Sequence, residues 1–185
     1  AFKTHTWAGT GAEDIEREID TIHAVGRRVG EKMQLMHDPV CEYETFMDAL
    51  RVGRACDEEE FYWYEDPLGD TGKSQHAHKM LRQRLQTALL QAEKVRGLEH
   101  HTDFLKSDAT DLIRSDTDWD SGITGAMKIA RVAEGFGVDV EFHLSGPARR
   151  HCMAATRNSN YYELGLVHPE ASTPHVQPPI YDDGY

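Results

Sequence analysis

Seven ionisable residues stand at the ends of short apolar runs: His5 in AFKTH, Asp38 in MQLMHD, Glu65 in FYWYED, Glu93 in ALLQAE, Asp116 in DLIRSD, His143 in VDVEFH and Glu163 in NYYE. Carboxylates bind hard cations, and imidazoles move protons near neutral pH. Any one of these residues has a bland explanation, because carboxylates are common where strands give way to loops. Their recurrence every 20 to 33 residues, plain from the numbering, is harder to dismiss. One strand plus one helix takes up about 30 residues of chain.

The stretches between the ends carry helical spacing. Ile15, Ile19, Ile22 and Val25 recur at three and four residues; so do Phe46, Ala49, Leu50 and Gly53, and again Ile123, Met127, Ile129 and Val132. A more polar segment, GDTGKSQHAHKMLRQRLQT, marks its buried side with Met80, Leu81 and Leu85. Strand, turn, helix and turn thus repeat about six times, the pattern of a parallel α/β sheet. In a closed (β/α) barrel the C-terminal strand ends converge on one face, where active sites are assembled from several strands. The aromatic run FYWY then reads as a core strand from which Glu65 emerges. Three consecutive strands ending in Asp38, Glu65 and Glu93 would surround one point with hard oxygen ligands, a set suited to Mg²⁺ rather than zinc or copper.

Other groups are read more plainly. His76, His78, Glu99, His100 and His101 fall in helical segments and are expected at the surface. Arg149 and Arg150, just past His143, suit either bidentate recognition of a distal carboxylate or hydroxyls, or ordinary surface salt bridges at a helix start. Trp7 and Trp63 read as packing residues, with Trp7 also close enough to the second-strand residues to touch a substrate. Cys41 and Cys152 read as small apolar fillers.

Composition bounds the function. With 185 residues the chain is expected to form one domain over 1–185. A formal charge of -12 argues against the basic footprint that nucleic acid or an anionic membrane would require. Three scattered cysteines form neither a disulfide framework nor a zinc ribbon, which fits a reducing cytoplasm. No apolar run approaches the roughly 18 to 20 residues of a membrane span.

The segments LMHDP, FYWYEDPL, LLQAEKVRG, LIRSDTDWDSGIT, VEFHLSGPA and NYYEL together resemble the enolase superfamily, in the order and spacing of its mandelate racemase/muconate lactonizing enzyme-like branch. That branch includes many sugar-acid dehydratases. The resemblance implies a TIM-type (β/α) barrel that is incomplete here, with about strands two to eight present. The capping domain and first strand are expected to lie outside a chain that begins on AFKTHTW without Met, and a complete barrel needs roughly 250 residues. The resemblance also implies that Asp38, Glu65 and Glu93 hold Mg²⁺ and that Asp116 orients His143 as the base. Glu163 would bind the substrate carboxylate or enediolate, and Lys3 and His5 would match a Lys-x-Lys motif whose second lysine is His5 here. Pro39 and Val40 stand where many members have a small residue and an Asn. The implied reaction is Mg²⁺-dependent dehydration of a small acid sugar to a 2-keto-3-deoxy acid. A racemase, a cycloisomerase or a catalytically silent barrel fragment are the alternatives. The intact enzyme is expected to be a homo-oligomer acting on a small-molecule carboxylate, with neither nucleic acid nor membrane as partner.

Overall fold

The structure, a computed structural model, describes residues 1–5, 11–69, 73–91 and 93–164, with Ala12 described by its backbone alone. Trp7 and the chain beyond residue 164 lie outside that set. Among the described residues strands and helices alternate: β1 (Phe2–His5), α1 (Ala12–Val29), β2 (Leu35–Asp38), α2 (Phe46–Glu58), β3 (Trp63–Glu65), α3 (Gln75–Arg82), β4 (Ala88–Gln91), α4 (Leu98–Lys106), β5 (Leu112–Ser115), α5 (Gly122–Phe136), β6 (Asp139–Phe142) and α6 (Pro147–Ala154). These six strands are parallel, in sequence order, and the sheet curls into half of a barrel. This is the partial (β/α) barrel that the resemblance implies, with six strands among the described residues where about seven are expected.

Because side chains alternate across a strand, each strand feeds two different layers. Leu35, Tyr64 and Leu89 face the helices and pack with Ile15, Ile22, Leu50 and Val52. Phe61, just ahead of β3, joins the same helix-facing cluster. Ile113, Val140 and Phe142 pack in the same way with Phe104, Ala126 and Ile129. The other face carries Met36, Trp63, Leu90 and Leu112, a small separate apolar floor on which Tyr62 and the later Tyr161 also pack. Above this floor, on the same face, come the ends of the strands with their charged side chains.

Three readings from the sequence are corrected here. NYYE is not a strand: the amides of Asn160 and Tyr161 donate to the two carboxylate oxygens of Glu141, each at 3.0 Å, in place of a carbonyl ladder. His78 and His101 are buried rather than at the surface. Each ring Nδ1–H donates to the carbonyl four residues earlier, Ser74 at 2.9 Å and Gly97 at 2.7 Å, which satisfies part of the ring's polarity and makes burial tolerable. Cys41 is half-buried in the loop after β2, whereas Cys152 is the core filler expected. No helix among the described residues is long and apolar enough to cross a membrane.

Candidate active site

Asp38 ends β2, Glu65 ends β3, and Glu93 follows β4 by two residues. Each offers an oxygen, and the three oxygens lie within 4.8 Å of one another. Glu93 does not continue the strand's alternation. Its amide donates to Asp66 Oδ2 at 2.8 Å, while the Asp66 amide donates to Leu90 O at 3.1 Å. Asp66, next to Glu65 in the aromatic stretch, thereby ties the end of β4 to the end of β3.

Protein cations surround the three carboxylates. Lys3 Nζ donates to Asp38 Oδ2 at 2.8 Å and Glu65 Oε2 at 3.0 Å, and stands 3.1 Å from Glu163 Oε1. Arg114, fully enclosed on β5, donates to Glu163 Oε2 at 2.8 Å and lies 2.8 Å from Glu65 Oε1. Burial would lower the Lys3 ammonium, but Glu65, Asp38 and Glu163 outweigh it and raise it further. Burial also works against ionisation of Glu163, yet Arg114, Lys3 and the Leu144 amide hold that carboxyl well below the usual range. Glu65 goes the other way: burial drives its carboxyl upward, with Arg114 opposing and Asp38 adding to the rise. A buried group of hard oxygens fits Mg²⁺ by donor chemistry.

Across the same face, His143 Nδ1 lies 2.6 Å from Asp116 Oδ2. Asp116 Oδ1 accepts from the Asp118 amide at 2.6 Å and from Arg149 at 3.0 Å. Burial pushes the Asp116 carboxyl up, but the His143 and Asp118 hydrogen bonds and the Arg149 charge overcome it and lower it. Asp120 holds the turn in place, accepting from the Asp116 amide at 2.9 Å, Ser115 Oγ at 3.1 Å and the Gly97 amide at 3.1 Å. Gly125 is required there, since a Cβ at that position would come within 1.5 Å of Asp120 O. The Trp119 ring covers His143 at 5.2 Å between centroids, and Arg96 lies over Trp119 at 3.9 Å.

The structure brings Lys3, Asp38, Glu65, Glu93 and Glu163 to one cluster and Asp116 to His143, with His143 Nε2 3.7 Å from Glu93 Oε2. His5 Nδ1 stands 3.6 Å from Asp38 Oδ2 and is partly exposed. Arg149, near the start of α6, is buried and pairs with Asp116 and Asp118, so it is not the ordinary surface salt bridge that one of the two sequence readings expects. Arg150 lies over the Tyr162 ring at 5.6 Å. Trp63 is buried in the floor, as expected of a packing residue. Arg114, Lys94, Asp66 and Asp120 were missed. Arg114 had a signal: it precedes Asp116 by two residues on one strand, so both must face the same side.

The model of the family described as "Enolase C-terminal domain-like" matches residues 1–185. The chain belongs to this family. Among its relatives, the L-rhamnonate dehydratase of Saccharopolyspora erythraea is 26% identical over 181 residues, covering 94% of this chain and 45% of the relative. The D-glucarate dehydratase of Agrobacterium tumefaciens, solved in complex with magnesium, superposes with a TM-score of 0.81 at 31% identity, covering 90% of this chain and 44% of that one. A Streptomyces coelicolor racemase with bound magnesium shares the fold, with a TM-score of 0.76 at 20% identity, over 87% of this chain and 43% of that one. The chain spans less than half the length of each of these proteins. Proteins similar to this enolase-like chain thus include both dehydratases and a racemase.

Proposed function

We propose that this chain carries the active site of a Mg²⁺-dependent acid-sugar dehydratase, with residues 1–185 belonging to one barrel domain. The observation that carries the reading is the meeting of an Asp116–His143 pair with a three-carboxylate cluster on one sheet face. Similarity to sugar-acid dehydratases supports the substrate class. Asp38, Glu65 and Glu93 would hold the ion, whose charge stabilises the enediolate of a substrate carboxylate.

The remaining chemistry belongs to side chains. Asp116 accepts the hydrogen bond of His143 Nδ1–H, which leaves Nε2 with its lone pair on the side of Glu93. Nε2 removes the proton α to the carboxylate. Loss of the β-hydroxyl as water, protonated by an acid such as the imidazolium just formed at His143, gives an enol that tautomerises to the 2-keto-3-deoxy acid. Glu163, held by Arg114 and Lys3, borders the same space. Lys3 stands against Asp38, Glu65 and Glu163 on the side facing His143, and the racemase reading would call on Lys3 or His5 as its second base.

A screen of acid sugars against the intact protein with Mg²⁺, detecting 2-keto products, tests the reaction. His143→Asn should abolish exchange of the α-proton in heavy water and leave Mg²⁺ binding largely intact. Exchange at the parent rate in that variant would place the base on β1.

A further inference from the structure

Each of the three cluster carboxylates already has one oxygen engaged by the protein. Asp38 Oδ1 accepts from the Val40 amide at 3.0 Å. Glu93 Oε1 accepts from Lys94 at 2.5 Å. Glu65 Oε1 faces the Arg114 guanidinium at 2.8 Å, a charge contact without an aligned hydrogen bond. The second oxygens, Asp38 Oδ2, Glu65 Oε2 and Glu93 Oε2, face the side chains of Lys3 and His143 instead. The first two are shared by Lys3, which is the more exposed of the two cations touching Glu65.

This pattern bears on which ion the centre accepts. Ca²⁺ takes six to eight oxygens and profits from bidentate carboxylates, whereas Mg²⁺ takes six in a tight octahedron and keeps several waters. Chelation by both oxygens of Glu65 would require Lys3 and Arg114 to leave together; binding by one oxygen displaces Lys3 alone. Arg114 is buried and also holds Glu163, so it is the harder of the two to move. Val40 reinforces the arrangement from the backbone, its amide donating to Asp38 Oδ1 two residues earlier, in a loop where Val40 and Cys41 both adopt positive φ, 55° and 62°.

We infer that Arg114 and Lys94, with the Val40 amide, are selectivity residues that restrict the three carboxylates to single-oxygen coordination and so favour Mg²⁺ over Ca²⁺. The inference rests on the metal step of the proposed function and not on its substrate.

The test is calorimetric titration of the metal-stripped protein with Mg²⁺ and with Ca²⁺, for the parent, Arg114→Gln and Lys94→Met. Arg114→Gln should tighten both ions, because a fixed positive charge is lost, but the ratio of the Ca²⁺ to the Mg²⁺ dissociation constant should fall at least about fivefold as Glu65 gains a second free oxygen. A smaller change in that ratio overturns the inference. If circular dichroism shows that Arg114→Gln does not fold, Lys94→Met decides by the same criterion through Glu93, since Lys94 is partly exposed and outside the core. Absence of binding of either ion to the parent overturns the inference and the metal step together; binding with an unmoved ratio overturns the inference alone.

Discussion

Glu65 and Asp116 are both buried carboxylates on one face of one sheet, and the fold treats their charges in opposite ways. Asp116 is met by donors: the Asp118 amide, His143 and Arg149, with its own amide anchored to Asp120. Its carboxyl is lowered despite burial. Glu65 sits among other carboxylates, and burial raises its carboxyl although Arg114 and Lys3 both touch it. One half of the candidate site is thus satisfied by the protein's own groups. In the other, burial and the crowding of carboxylates outweigh the cations that touch Glu65, a sacrifice of stability that functional sites commonly carry.

Asp116→Asn should produce the largest effect. It exchanges a charged acceptor for an amide and leaves Arg149 with Asp118 as its one carboxylate, so stability should fall by about 3 kcal/mol in denaturant titrations near neutral pH. A loss below about 1 kcal/mol would erase the contrast. Next comes metal: Mg²⁺ at about one hundred times its dissociation constant should stabilise the parent by about 2.7 kcal/mol over the chelated protein. Smaller again, Glu65→Gln without metal should gain about 1 kcal/mol, because the shape survives and the poorly compensated charge is gone. A clear loss in that variant would show Glu65 to be satisfied as it stands.

Acidification sharpens the comparison further. The raised Glu65 carboxyl protonates in the folded state first, so the advantage of Glu65→Gln should shrink as pH falls through that raised value and vanish near the ordinary value of about 4.3. For Asp116 the shift is downward. Its contribution is fully present above the ordinary value of about 3.9 and is lost only as pH falls through the lower folded value. Denaturation of the parent and both variants across this range should therefore show the Glu65 difference closing before the Asp116 difference does.

The alternation of strands and helices was legible because it is local: apolar spacing at two or at three and four residues decides which segment pairs and which coils. The residues closing the apolar runs from His5 to His143 were legible for the same reason, since a β/α period brings those runs out on one face. Tertiary structure decided how their charges are partnered. Arg114 meets Glu65 and Glu163, each 49 residues from it in sequence, only because the sheet curls β5 toward β3 across β4 and the segment after α6 returns over the same face. Asp120 reaching Gly97, Arg149 reaching Asp116 and Glu141 taking the amides of NYYE are likewise contacts through space. Burial of His78 and His101 followed from helix packing against Phe104 and Asp120, which helical periodicity alone does not reveal. Residue type and period therefore determined which groups arrive at the strand ends, and the Coulomb and hydrogen-bond distances set by the curled sheet decided how each is partnered.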